Sequence, residues 1–149
     1  MDIFVDADAC PVKDEVVRVA ARHQIPVTLV SNAWMRGPDH PLVRRITVAE
    51  GPDAADDWIA EHAADSDIVI TADIPLADRS LKNGASVIDP KGRPFTEDSI
   101  GSALANRELM SQLREMGTMT GGPSPFSPKD RSQFLQTLDQ TIQRIRRKK

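Results

Sequence analysis

The sequence lacks several features that would place the protein in a broad class at once. It contains a single cysteine, which excludes an internal disulfide and a thiolate-rich zinc site. No stretch approaches the roughly 18 consecutive apolar residues of a membrane-spanning helix, and the N-terminus has no basic segment followed by an apolar one. We therefore expect a cytoplasmic protein with no membrane partner, in which any metal ion has oxygen ligands.

Length and charge describe one acidic domain with a basic end. The 149 residues, of which 40% are hydrophobic and 28% charged, are typical of a single soluble domain. Residues 1–98 contain 10 Lys and Arg against 18 Asp and Glu, whereas residues 99–149 contain 9 against 4. The acidic part suits cation binding and the basic part suits a polyanion, although solvated surface gives the same pattern.

A strand-like apolar run near the N-terminus ends in two carboxylates, Asp6 and Asp8, and Pro11 then suits the start of a helix. In an open α/β sheet the ligand crevice lies at the carboxyl ends of the strands. Residues two apart in an extended segment point the same way, so both carboxylates are expected to face one cation. The alternative is that Asp6 or Asp8 only caps the following helix.

Strand-like and helix-like segments alternate along residues 1–116. This alternation predicts a three-layer α/β/α domain with a five-stranded, mostly parallel sheet. Arg44 and Arg45 place their strand at an edge of that sheet. Residues 117–149 form a Gly/Pro-rich loop and a basic C-terminal helix, which we expect to pack on the same domain and to begin with a capping box at Ser127 and Asp130.

Two more acids belong to the predicted carboxylate group. Asp73 follows the most strand-like stretch, and Asp56 lies beside the apolar face of a helix that opens near Asp53. Such a group needs a cation to neutralise it, and oxygen ligands without His or Cys select Mg²⁺ or Mn²⁺. These ions support hydrolysis of phosphate esters. Alternatively, Asp53 caps its helix and its neighbours complement the helix dipole, which requires no metal.

Four stretches closely resemble the uncharacterised bacterial YaiI/YqxD protein family, and the resemblance covers essentially the whole chain. They are Val5–Pro11, Asp53–Asp57, Asp67–Ala77 and Gly121–Pro123. That family looks like a branch of the PIN-like superfamily, many of whose members are metal-dependent ribonucleases. The resemblance implies a PIN-like fold, RNA as substrate, and Asp6, Asp56 and Asp73 as the acids at one end of a parallel sheet.

The match to PIN ribonucleases is incomplete at one position. Those enzymes usually have a further acid on a helix before the one that Asp56 resembles. The acids available here, Asp39 and Glu50, lie in no convincing helix, so Asp8 substitutes as an additional ligand or base. The PIN pattern also assigns no role to the Gly-rich loop or to the basic C-terminal helix.

Three functions follow from these patterns. The first is a Mg²⁺- or Mn²⁺-dependent nuclease acting on RNA, with metal-binding and catalytic roles for Asp6, Asp8, Asp56 and Asp73. Its candidate substrate or phosphate contacts, besides the basic tail, are Asn32, Thr71, Arg107, Lys129 and Arg131. The tail can also be read as a solvated helix end stabilised by the helix dipole.

The second function is a non-catalytic PIN-like module that binds RNA or a protein, because a fold does not imply an activity. The third is a phosphatase of the haloacid-dehalogenase type. Asp6 and Asp8 have the spacing of that family's nucleophile and acid/base pair, with Thr71 and Lys91 as its hydroxyl and lysine. Cys10 departs from that pattern, and no paired acids follow a predicted strand after Lys91.

Overall fold

The chain folds around a six-stranded sheet in the part that the computed structural model describes, residues 1–32, 40–48, 54–101 and 126–147. The strands are β1 (Ile3–Asp6), β2 (Val27–Ser31), β3 (Val43–Thr47), β4 (Ile68–Ile70), β5 (Ser86–Ile88) and β6 (Pro94–Phe95). The helices are α1 (Lys13–His23), α2 (Ala54–His62), α3 (Ile74–Lys82) and α4 (Pro128–Arg147). A 3₁₀ turn spans Ala7–Ala9, and residues 97–101 are also helical.

The strand order is β3-β2-β1-β4-β5-β6, and every neighbouring pair is parallel except β5 with β6. The chain passes from β1 through α1 to β2 on one side, and from β4 through α3 to β5 on the other. The order therefore reverses between β1 and β4, and ligands of such sheets bind at this switch point, outside the carboxyl ends of the strands. We call that end of the sheet the carboxyl edge and the opposite end the amino edge.

Both faces of the sheet are covered by helices. Successive strand residues point to opposite faces, so Ile3 and Val5 pack with α1 and α4, whereas Phe4 packs with α2 and α3. Burial on both faces accounts for the continuous apolar run of β4. The predicted three-layer α/β/α architecture is confirmed, and so is the edge position of the strand that contains Arg44 and Arg45.

Helix α4 begins as the sequence predicted. The Asp130 amide donates to the Ser127 hydroxyl over 3.2 Å, and the Ser127 amide donates to the Asp130 carboxylate over 3.0 Å. This reciprocal pair is the capping box. The apolar stripe that follows is buried against α1 and the sheet, and its residues are Phe134, Leu138, Ile142 and Ile145.

Helix α4 runs parallel to α1. Arg131, near its start, pairs with Glu15 near the start of α1, at 3.1 Å. Asp139, further along, lies 2.6 Å from His23 at the end of α1. The first turn of α4 therefore lies at the carboxyl edge and its last turn at the amino edge, about 30 Å away.

A sixth strand corrects the predicted five-stranded sheet. After the fifth predicted strand the chain turns back, so that β6 pairs antiparallel with β5. The Asp89 carboxylate holds this turn by accepting the amides of Lys91 and Arg93, each over 2.9 Å. Pro94 fits an edge strand because its missing N–H is not needed there.

The start of α1 also differs from the prediction. The helix begins at Lys13 and not at Pro11, because Ala7–Ala9 first form a 3₁₀ turn. Cys10 is extended, at φ −105° and ψ 113°, as expected of a residue that precedes proline. Asp8 consequently lies in a turn, and the argument that Asp6 and Asp8 share one side of a strand is wrong.

Some predictions lie outside the described residues. These are the phosphate contact Arg107, the cap Asp53, the acids Asp39 and Glu50, and most of the Gly/Pro-rich loop, together with the boundary between residues 116 and 117. Within the described ranges, no helix has the length and apolar character that crossing a membrane requires.

Candidate functional site

Three polar side chains from β1 and β4 meet at the switch point. Thr71 follows β4, next to the end of β1, and its hydroxyl donates to the Asp6 carboxylate over 3.1 Å. The same hydroxyl accepts the Asp73 amide over 3.0 Å. Asp73 in turn accepts the Leu76 amide over 2.9 Å and so caps α3. One chain of hydrogen bonds thus links Asp6 to the start of α3.

Asp8 extends this group toward β2. Its carboxylate accepts the backbone amide of Asn32 over 2.9 Å, directly after the end of β2. The side-chain oxygen of Asn32 is buried and has no hydrogen-bond partner among the described residues. A buried polar atom without a partner is costly and uncommon in folded proteins. Because Asp8 holds the backbone of this residue, the Asn32 side-chain oxygen is a candidate metal ligand.

The carboxylates lie close enough to influence one another. Burial raises the pKa of Asp6, the charges of Asp8 and Asp73 raise it further, and the hydrogen bond from Thr71 partly opposes this. No Lys or Arg of the described ranges forms an ion pair with Asp6, Asp8 or Asp73. The site therefore concentrates negative charge that nothing described neutralises by direct contact.

Helix capping explains only one of these acids. The 3₁₀ turn and α1 both lack a side-chain cap, so the alternative that Asp6 or Asp8 caps the following helix is wrong. Asp73 does cap α3, and its second carboxylate oxygen has no role in that cap.

Asp56 lies in the first turn of α2, which packs against β1, β2 and α3. A helix that connects two parallel strands begins at their carboxyl ends, so Asp56 belongs to the same edge as Asp6. Its side chain is half-buried, whereas Asp57 is exposed and pairs with Arg79 at 2.8 Å. Asp56 is thus less exposed than Asp57, and its place in the acidic group stays a prediction.

Behind the acidic group lie a lysine and a thiol. The Lys13 ammonium lies 3.3 Å from the Ala7 carbonyl, and it thus holds the turn between Asp6 and Asp8. Burial raises the pKa of the Cys10 thiol to about 11. Cys10 is 7% exposed, so it is a small buried residue and not a reactive thiolate.

The donor chemistry at the carboxyl edge fits a hard divalent cation. Carboxylate and amide oxygens are the ligands of Mg²⁺ and Mn²⁺, and the unpartnered Asn32 oxygen adds to that set. Over residues 1–32, 40–48, 54–101 and 126–147, no three His, Cys, Asp or Glu side chains converge as a ready metal cage. Mg²⁺ needs no such cage, because it keeps several waters and takes one or two carboxylates together with substrate phosphates.

The predicted phosphate contacts do not lie together. Lys129 is exposed in the first turn of α4, at the carboxyl edge. Arg131 is engaged with the buried carboxylate of Glu15. The basic tail lies at the amino edge, where Arg146 donates to the backbone carbonyl of His23 and Arg144 lies 3.5 Å from the Ser86 hydroxyl. Arg144 and Arg146 therefore lie at the opposite end of the sheet from the acidic group.

Comparison with known proteins assigns the chain to a family. Residues 4–144 match the family model described as "Uncharacterized BCR, YaiI/YqxD family". The chain belongs to this family. Similar relatives named "UPF0178 protein" include one from Nitrobacter winogradskyi, 63% identical over 97% of this chain and 92% of the relative, and one from Parvibaculum lavamentivorans, 59% identical over 99% and 97%. No solved structure matches the chain.

The hydroxyl of Thr71 yields a direct test of the geometry. Thr71→Val removes the hydrogen bond that lowers the pKa of Asp6, so that pKa is expected to rise further. Thr71→Ser retains the hydroxyl and serves as the control. NMR titration of the Asp6 carboxyl carbon measures the effect, and an unchanged pKa in Thr71→Val would show that this hydrogen bond does not act on Asp6.

Sequence reasoning missed one contributor to the site. Lys13 was not singled out, since its approach to Ala7 depends on the 3₁₀ turn that delays α1. Asn32 and Thr71 were named as candidates from the sequence, and both lie at the carboxyl edge.

Proposed function

We propose that the protein is a divalent-metal-dependent nuclease that hydrolyses phosphodiester bonds in RNA at the carboxyl edge between β1 and β4. One observation carries the proposal. Asp6, Asp8 and Asp73 crowd at the switch point, where the pKa of Asp6 is raised and no described Lys or Arg pairs with them. A structural role does not require this accumulation of charge, whereas cation binding does.

The candidate ligands are Asp6, Asp8, Asp73 and Asp56. A bound Mg²⁺ or Mn²⁺ supplies an activated water and charge stabilisation for in-line displacement at phosphorus. Thr71 orients the Asp6 carboxylate, and the cap on α3 fixes one oxygen of Asp73 and leaves the other for the cation. Asp8 holds the backbone of Asn32, whose amide oxygen is a further donor.

The site also predicts how activity depends on pH. Cation binding needs ionised Asp6, and burial together with its neighbours raises the pKa of this carboxyl. Activity should therefore fall as the pH is lowered through that raised pKa, at a higher pH than for an ordinary aspartate. We also propose that the protein descends from the PIN-like superfamily and lies in the cytoplasm.

The test is cleavage of a labelled single-stranded RNA with Mn²⁺, Mg²⁺ or chelator. Asp73→Asn keeps an oxygen that can cap α3, and we expect it to cleave at least about 100-fold more slowly than wild type. Asp65→Asn is the matched control, because Asp65 is exposed between α2 and β4, at the amino edge.

Two results would contradict the nuclease. Hydrolysis of a phosphomonoester such as p-nitrophenyl phosphate, without RNA cleavage, would favour the phosphatase, in which Asp6 is the nucleophile. RNA binding without hydrolysis of either substrate, at any metal concentration that saturates the site, would favour the non-catalytic module.

A further inference from the structure

The turn after β5 is fixed tightly against the start of α4. A side chain at Gly92 would come within 2.6 Å of the Gln133 carbonyl carbon and 2.7 Å of the Phe134 nitrogen. The Gly92 carbonyl also accepts the Thr137 hydroxyl over 2.8 Å. Because Phe134 is fully buried, neither backbone can shift easily, and the residues on both sides of Gly92 are held beside the first turns of α4.

This contact gathers four cationic side chains at the carboxyl edge: Lys91, Arg93, Lys129 and Arg131. Hydrogen bonds from Ser127 lower the pKa of Asp130, and the nearby charges of Lys91 and Arg93 contribute. Lys129 lies one helical turn before Gln133, on the side of α4 that meets Gly92. The packing of Gly92 on α4 and the effect of Lys91 and Arg93 on Asp130 both place the cations of the turn beside those of α4.

Two of these cations are available to a ligand. Arg93 and Lys129 are exposed and have no side-chain ion pair among the described residues. Arg131 is partly engaged by Glu15, although 53% of its side chain is exposed. These cations therefore lie on backbone that is held firmly in place, and the positive charges of Arg93 and Lys129 are not paired with acids of the described residues.

The position of this surface relates it to the acidic site. β5 lies directly beside β4, about 4.8 Å away at the spacing of paired strands. The turn after β5 is therefore the next segment along the carboxyl edge after Thr71 and Asp73. A polyanion that crosses the edge would pass from the acidic group onto the cations within a few nucleotides.

We infer that Arg93 and Lys129, supported by Lys91 and Arg131, bind the phosphate backbone of single-stranded RNA next to the scissile position. This inference rests on the proposed function for its substrate. It assigns the RNA contact to these four cations and not to the basic tail. Phosphate contacts of this kind position the strand without reading its sequence.

The test measures binding separately from cleavage. The probe is a fluorescent oligouridylate of about 12 nucleotides, and chelator is present so that no metal-dependent cleavage occurs. We expect Arg93→Ala and Lys129→Ala each to weaken binding about fivefold and to reduce the salt dependence, log Kd against log salt, by about 0.7.

The matched control is Arg147→Ala, an exposed cation on the same helix about 27 Å from Lys129. It should leave affinity and salt dependence unchanged, and thermal unfolding should show that all three variants are folded. Equal losses in all three, a loss confined to Arg147→Ala, or no binding by wild type at low salt would overturn the inference. Binding with the expected pattern but no cleavage with metal would contradict only the proposed function.

Discussion

Asp6→Asn is expected to unfold at a higher temperature than wild type and to cleave no RNA. Burial and the charges of Asp8 and Asp73 raise the pKa of Asp6, so its ionised form destabilises the folded protein. Asparagine removes that charge and still offers an oxygen to the Thr71 hydroxyl, 3.1 Å away in wild type. Each kcal/mol that the substitution adds to the free energy of unfolding raises Tm by about 2–4 °C in a chain of this size.

The size of this Tm difference depends on pH in a defined way. A raised carboxyl pKa means that the folded protein binds its proton more tightly, so wild-type stability falls as pH rises from the ordinary pKa of 3.8 through the raised value. The Tm advantage of Asp6→Asn should therefore be absent in acid and complete at neutral pH. Asp65→Asn should show no such dependence.

Metal should reverse the order of stabilities. A cation that binds only the folded state stabilises it by about 1.4 kcal/mol at ten times its dissociation constant. Mn²⁺ should thus raise the Tm of wild type and leave that of Asp6→Asn unchanged. A lower Tm for Asp6→Asn without metal would show that the Asp6 carboxylate is structural, and would contradict the account of the site.

Gly92→Ala is expected to destabilise the protein by about 2–5 kcal/mol, with a fall in Tm on the order of 10 °C. Gly92 has φ +86°, which is unfavourable for a residue with a side chain, and its added Cβ would meet the backbone of α4 at 2.6–2.7 Å. To remove this clash, α4 would have to move away from the core that buries Phe134.

Gly84→Ala separates the two causes. Gly84 has nearly the same φ, +89°, but a Cβ there would meet only Asp65, at 3.4 Å. That variant should lose only the backbone contribution, about 1–2 kcal/mol. Urea unfolding of both variants measures the difference, and equal losses would show that the Gly92 contact with α4 is not tight.

Much of the fold could be predicted because its signals are local. The apolar runs of β1 and β4, the paired arginines of β3 and the capping box at Ser127 each specify one element. Parallel strands bring their carboxyl ends to one edge, and that rule alone placed Asp6 near Asp73. The site was predictable to the extent that it depends on topology.

The remainder depends on contacts between distant segments. The direction of α4 is set by Glu15 with Arg131 and by His23 with Asp139, pairs more than 100 residues apart that no local pattern reveals. For that reason the sequence could not show that Arg144 and Arg146 lie at the amino edge. The tight approach of Gly92 to α4, and with it the basic surface, could not be seen for the same reason.

The most direct test of the central claim is a calorimetric titration of Mn²⁺ into wild type, Asp6→Asn and Asp65→Asn at neutral pH. We predict binding by wild type and by Asp65→Asn and its loss in Asp6→Asn, with tighter binding when a non-cleavable RNA analogue supplies phosphate oxygens. No binding by wild type at millimolar Mn²⁺, with or without that analogue, would contradict a cation site at the carboxyl edge.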